Sequence, residues 1–188
     1  EHAPYNLRDQ LAPGILDGVD VVVHLAAETD RGSRADVDVE LTALRRLISA
    51  ARNVGARFIF VSSQSAKPDA RSGYGRAKWL GEQEVLAQGG IVLIPGLVYG
   101  GSQKGLFGLR CRFLRKVPLV PMFLPAPFVQ PVHVEDLAEA LIRVGLDSSL
   151  NGCVLSVADP RPLAFHAYPR GITAIRLGGI ASMTPVHT

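Results

Sequence analysis

The sequence predicts an α/β fold in which a doubly wound parallel sheet carries helices on both faces. Two observations carry that expectation: short β-branched runs too apolar to leave either face in water, and helical periodicities lying between them. Size and composition agree, since 188 residues that are 47% hydrophobic and 20% charged suit one soluble, well-cored domain spanning 1–188.

The elements follow in order. Val19 to Leu25, bounded by Gly18 and by Ala26-Ala27, reads as a buried strand. From Ala35 to Asn53 the apolar residues Val39, Leu41, Leu44, Leu47, Ile48 and Ala51 recur at three and four, which predicts a helix stopping near Gly55. Arg57 to Ser63 is the next strand. A second helix runs from Gly73 to Gln88 and ends at Gly89-Gly90, and Ile91 to Ile94 makes a third strand stopped by Pro95. This alternation implies right-handed crossovers and a ligand site beyond the carboxyl ends of the strands. After Gly100 the pattern loosens. A helix is expected near Leu106 to Arg115, then a proline-rich loop from Pro118 to Pro131, a short strand at Val132 to Val134, and a helix from Glu135 to about Leu146. Asp136 is expected to cap that last helix, with Glu135 favourable to its dipole. Residues 161–188 show only weak periodicity.

Composition excludes more than it assigns. The longest apolar runs are broken by Asp20, His24 and Pro95 and fall well short of the ~20 residues a membrane helix needs, so no membrane partner is expected. Lys and Arg exceed Asp and Glu by 20 to 17, and the densest basic stretch, Arg110 to Lys116, is interleaved with Leu109, Phe113 and Leu114. A solvated helix face explains it without nucleic acid. Cys111 and Cys153 are lone cysteines, no His or Cys stands at metal-ligand spacing, and no leader opens the chain; a reducing, cytoplasmic setting without a metal is expected. There is no G-x-S-x-G elbow, no phosphate loop and no H-E-x-x-H helix.

The strand ends are where chemistry is expected. Tyr74-Gly75-Arg76-Ala77-Lys78 places a phenol and an ammonium four residues apart at the start of a helix, on one face. A neighbouring cation favours phenolate, so Lys78 is expected to help bring Tyr74 towards neutral pH as an acid/base. The preceding strand ends in Ser62-Ser63, whose hydroxyls would hold a substrate oxygen beside the phenol. At the first strand's end, Leu25-Ala26-Ala27 offers two small side chains that let the backbone approach a flat cofactor.

Five motifs in this order resemble the extended short-chain dehydrogenase/reductase family of NAD-dependent epimerases and dehydratases. They are Asp20-Val-Val-Val-His24-Leu-Ala-Ala27, Phe58-Ile-Phe-Val-Ser62-Ser63, Tyr74-x-x-x-Lys78 followed by Glu82, Pro95-Gly-Leu-Val-Tyr99-Gly100, and Val132-His-Val-Glu-Asp136-Leu-Ala138. The resemblance implies a Rossmann-like core, here a partial dinucleotide-binding unit at 1–100, with a small C-terminal substrate lobe and tail at 101–188. It implies NAD or NADP as cofactor and a small-molecule substrate carrying a hydroxyl or carbonyl, often a nucleotide sugar. By resemblance Tyr74 is the acid/base, Lys78 holds the nicotinamide ribose and tunes Tyr74, and Ser63 binds the reacting oxygen. Asn6, Leu25, Ala26, Ala27 and Pro95 would line the cofactor.

The chain departs from the family's pattern in several places. The opening strand, G-x-x-G-x-x-G turn and helix do not occur, and Tyr5-Asn6-Leu7 stands at the expected end of the third strand. Roughly 60 preceding residues, two strand-helix units, are expected to be missing. That would leave a bare sheet edge, and a homo-oligomer or aggregation to cover it. Asn6 replaces an adenine-contacting Asp, Glu40 a structural Asn, and Ile94 an Arg. The 11 positions from Ser63 to Tyr74 make a short substrate loop. These departures also motivate the alternative of a non-catalytic nucleotide-binding or interaction module.

Overall fold

The computed structural model describes residues 5–27, 36–100, 128–164 and 182–185. The expected helix near Leu106 to Arg115, most of the proline-rich loop, Cys111 and the basic stretch lie outside them. In chain order the elements are β1 (Val21–His24), α1 (Val37–Asn53), β2 (Arg57–Val61), α2 (Gly73–Ala87), β3 (Ile91–Pro95), β4 (Leu97–Tyr99), β5 (Phe128–Val129), β6 (Pro131–His133), α3 (Val134–Leu146), β7 (Val154–Ala158), β8 (Leu163–Ala164) and β9 (Ser182–Pro185). The main sheet has strand order β1-β2-β3-β7-β9. β1 to β3 are parallel, with His24 opposite Phe60 and Val61 opposite Leu93. The expected α/β fold with a parallel sheet is the observed one.

Contacts divide the chain into two compact units. One comprises Glu1–Ile94, Arg143–Leu155 and Pro185–Thr188, the other Pro95–Ile142 and Ser156–Thr184. In the first unit, alternation along the strands sends Phe58, Phe60 and Val92 to the face covered by α1 and α2. There they join Leu41, Leu44, Leu47, Ile48, Ala51 and Val85 in one buried cluster. Ile59 goes to the opposite face, where the last turn of α3 meets it: a Cβ on Gly145 would touch Val21 and Ile59. Helices therefore cover both faces of β2 and β3, which is why they read as continuous apolar runs. β1, expected to be buried, has only His24 buried and Val23 37% exposed, because it ends the strand order. Asp36 caps α1 by accepting from Val39 N at 3.2 Å, and Ser72 caps α2 by accepting from Gly75 N at 3.0 Å. Gly55 and Gly89 follow the helix ends at φ of 73° and 74°, the left-handed region that stops each helix.

Some boundaries differ from expectation. Ser62 and Ser63 lie just past β2, and Pro95 belongs to β3 instead of stopping it, because a proline fits a strand where no N–H is required of it. Tyr5-Asn6-Leu7 is not a strand: Asn6 Oδ1 accepts from Arg8 N at 3.0 Å and Asn6 O from Asp9 N, making a turn. In the second unit β4 pairs parallel with β6, and β5 antiparallel with β8; neither β4 nor β7 was anticipated, both being too short or too mixed to show a period. The amide of Glu135 is capped by His133 Nδ1 at 3.3 Å, not by Asp136, which sits in the first turn of α3. Among the described residues no helix is long and apolar enough to cross a membrane.

Two side chains in the first unit make its stability testable. Arg57, first residue of β2, donates Nη1 to Val144 O at 3.0 Å and to Gly145 O, two carbonyls at the end of α3, and Nη2 to Leu150 O in the loop after it at 2.7 Å. Arg57→Met, which keeps the stem and removes the donors, should cost about 2–4 kcal/mol in urea unfolding; a change below about 0.5 kcal/mol would show the carbonyls do not depend on it. His24 is 6% exposed, stacked on Phe60 at 5.8 Å and Phe58 at 6.3 Å. Burial first, then the Lys78 charge, push its imidazole down from 6.5 to about 4. The unfolded chain then takes up a proton near pH 6.5 that the folded chain refuses until about pH 4. Stability should fall across that window by about 3 kcal/mol as the medium is acidified. His24→Phe should flatten this fall; an unchanged slope between pH 6.5 and 4 would refute the assignment.

Candidate active site

The carboxyl ends of β1 and β2 and the first two turns of α2 gather the groups that the sequence singled out in the first unit. The loop after β2 returns sharply to α2 because Gly75 admits it: a Cβ there would sit 2.6 Å from Ser65 O and 3.0 Å from Ser72 Oγ. That close approach fixes the start of α2 against the loop and sets Tyr74 over Ser63.

Successive residues at the end of β2 point to opposite sides, which separates the two serines. Ser63 is half-buried and its hydroxyl lies near enough to the Tyr74 phenol to lower the phenol's pKa. The same Oγ contacts Ser65 Oγ at 2.9 Å and accepts from Ser65 N at 3.2 Å. Ser62 instead turns inward. It is 3% exposed, donates Oγ to Glu82 Oε1 at 2.5 Å and gives its N–H to Leu93 O at 2.8 Å. Of the pair expected at the ligand edge, only Ser63 stands beside the phenol; Ser62 is an internal anchor for Glu82.

Tyr74 and Lys78 do share a face of α2. The Lys78 ammonium is 5.9 Å from the Tyr74 ring centroid and 4.6 Å from that of Phe60. It is buried to 2% exposure and donates to Val61 O at 2.8 Å, leaving two of its three N–H groups for other partners. Burial pushes Lys78 down to about 8, against the upward pull of Glu40 and then Glu82. The Tyr74 phenol is raised above its usual value, mainly by burial; the Ser63 hydrogen bond lowers it and the Glu40 charge raises it further. This corrects the expectation of a phenol drawn towards neutral pH by Lys78. Desolvation of the phenolate dominates, Lys78 adds no resolved lowering, and Tyr74 is protonated at pH 7. Glu82 is raised by burial, opposed by the Ser62 hydrogen bond and by Lys78.

The residues named for a cofactor are placed as follows. Leu25 and Ala26 are exposed and Ala27 half-buried just past β1, so no bulky buried side chain closes that strand tip; Leu25 is 61% exposed. Asn6 is exposed on its turn. Pro95 ends β3 and falls in the second unit. Sequence reasoning took Glu40 only as a departure from a structural Asn and gave His24 no role of its own. Both signals were present: an acid on the apolar stripe of α1 one turn before Leu44, and an imidazole inside a valine strand. Among the described residues no His, Cys, Asp and Glu group could hold a metal. A cleft of about 550 Å³ lined by Arg52, Arg57, Gln88 and Asn151 opens at the amino ends of β2 and β3, and none of the named groups line it.

Comparison with known proteins bears on the family and the fold. The model of the NAD dependent epimerase/dehydratase family matches residues 7–151. A ceramide reductase of Caulobacter vibrioides (strain NA1000 / CB15N) is 34% identical over 135 residues, covering 68% of this chain and 41% of its own length. The chain thus spans about four-tenths of the curated relative it matches. Among solved structures, a hypothetical dTDP-4-dehydrorhamnose reductase from Sulfolobus tokodaii superposes with a TM-score of 0.70 at 18% identity, covering 94% of this chain and 70% of the other. A dTDP-glucose 4,6-dehydratase from Streptomyces venezuelae, solved with NAD bound, does so with a TM-score of 0.69 at 20% identity, covering 89% and 61%. At those identities the two structures speak for the fold alone. With the family model matched over most of its length, the chain belongs to the NAD-dependent epimerase/dehydratase family.

Proposed function

We propose that the protein interconverts a hydroxyl and a carbonyl with a nicotinamide cofactor, Tyr74 moving the proton. The observation that carries this reading is the meeting of the Tyr74 phenol with the Ser63 hydroxyl, beside the buried Lys78 ammonium. The open tip of β1 suits a flat cofactor: Leu25, Ala26 and Ala27 would lie along it, Lys78 would hold its ribose, and Asn6 would extend the lining. The cofactor, NAD or NADP, supplies or accepts the hydride when bound.

The state of the phenol favours reduction. A protonated Tyr74 donates its O–H to a carbonyl oxygen that becomes a hydroxyl, while Ser63 donates a second hydrogen bond to the same oxygen. The phenolate left behind is stabilised by the Ser63 hydroxyl and the Lys78 charge until a proton returns from solvent. In the oxidative direction the same groups run backwards, with the phenolate taking the hydroxyl proton.

Two substrate classes have support. The relative named a ceramide reductase favours a lipid ketone, and the fold neighbours named as dTDP-sugar enzymes favour a nucleotide sugar. The higher identity of the first weighs towards the lipid.

The test has two steps. NADH and NADPH are titrated onto the protein by fluorescence, and turnover is then followed with a ceramide-class ketone, dTDP-glucose and UDP-glucose. Tyr74→Phe should lose at least about 100-fold in turnover while binding the nicotinamide nucleotide within a few-fold of wild type. Turnover undiminished in Tyr74→Phe would refute the role of the phenol. Cofactor bound with no turnover on any of the probes would favour a non-catalytic module.

A further inference from the structure

Three ionisable side chains lie where the first unit is nearly dry, Lys78 at 2% exposure, Glu40 at 7% and Glu82 at 9%, and both carboxylates act electrostatically on the ammonium. Glu82 has a settled neighbour in Ser62. Glu40 lies on the other helix, and its place follows from the packing of α1 on α2. Both helices connect parallel strands in the same sheet, so they run in the same direction. They touch where Gly81 faces Leu44, since a Cβ at position 81 would come 3.1 Å from Leu44 Cδ2 and 2.7 Å from Phe60 Cζ. One turn back from Leu44 is Glu40, and three residues back from Gly81 is Lys78. At 1.5 Å per residue the two steps return about 6 and 4.5 Å along the seam, bringing residues 40 and 78 to about one level on their helices. Glu40 also acts electrostatically on Tyr74.

We propose that Glu40, reaching from α1 to Lys78 on α2, is a positioning residue that holds the lysine as a cation beside the Tyr74 phenol. Its consequence for turnover rests on the function proposed above; its effect on Lys78 does not. The charged and titratable groups facing Lys78 are Glu40 from α1, Tyr74 and Glu82 from its own helix, and His24 from β1, while β2 offers only Val61 O and the Phe60 ring. His24 is neutral at pH 7. The cation is therefore held by two carboxylates on two helices, and removing one helix's contribution has a definite sign.

The ε-carbon signals of Lys78 report its titration directly. With four lysines in the chain, Lys67→Arg, Lys104→Arg and Lys116→Arg assign the spectrum while leaving Lys78 unchanged. In Glu40→Gln the Lys78 midpoint, about 8 in the wild type, should move to lower pH by about one pH unit. The neutral amine at pH 7 should rise about fivefold as a result. Glu40→Asp should restore most of the cation. Glu84→Gln, which breaks only the exposed pair with Arg45, should leave the midpoint in place. If Glu40→Gln does not fold, the near-isosteric Glu40→Met is read instead. An unchanged midpoint in the folded variant, or an equal shift in Glu84→Gln, overturns the proposal. Wild-type protein without cofactor-dependent turnover would sink the functional reading and leave this titration standing.

Discussion

Putting an ammonium where Lys78 sits costs several kcal/mol of lost hydration, and the first unit is arranged around recovering it. The recovery comes from four directions. Val61 O accepts a hydrogen bond from β2, the Phe60 ring presents its face at 4.6 Å, and Glu40 and Glu82 bring negative charge from two helices. None of these alone would hold a buried charge, which is why β2, α1 and α2 must be in register for the residue to be tolerated. The remaining depression of Lys78, to about 8, measures what the surroundings fail to return. A lysine kept at that position at such expense is better explained by chemistry than by packing, because an apolar side chain of similar volume would fill the same space at lower cost.

The same register separates the neighbouring serines. The pleat at the end of β2 sends Ser62 inward to Glu82, holding one of the carboxylates that face Lys78, and leaves Ser63 for the phenol. Ser62 thus acts on the site at one remove. It fixes a carboxylate, the carboxylate steadies the ammonium, and the ammonium lies 5.9 Å from the Tyr74 ring. Gly75 completes the arrangement from the other side by letting the loop backbone lie against the start of α2.

What the sequence disclosed follows from range. Period-two and period-3.6 patterns are local, so β1, β2, β3, α1, α2 and α3 were legible to within two residues or so at most ends, and the Tyr74 and Lys78 pair was legible because four residues on a helix is a local distance. The role of Glu40 was not, since it depends on which residue of α2 lies across a helix seam, 38 positions away in the chain. His24 was hidden for a similar reason: inside Val-Val-Val-His it reads as part of a strand, and only the stacking on Phe58 and Phe60 shows that it is buried neutral. β4 and β7 escaped because three or five residues carry too little period to separate from loop. The phenol's state was misjudged because spacing gives the nearby cation and says nothing of the desolvation that raises the phenol.

Stability and site chemistry pull in opposite directions on the alkaline side, and Lys78 sets where. Its folded-state value of about 8 lies below the 10.5 of an ordinary lysine, so between those limits the unfolded chain binds more protons than the folded one. Raising pH through that window relieves the burial penalty and stabilises the fold. Over the same window the ammonium beside Tyr74 is discharged, and in the proposed reaction the phenolate would lose a cation that supports it. A fold gaining stability while its site loses charge would report a buried lysine held for its charge. An exposed lysine would show neither effect, because its proton would come off at the same pH in both states.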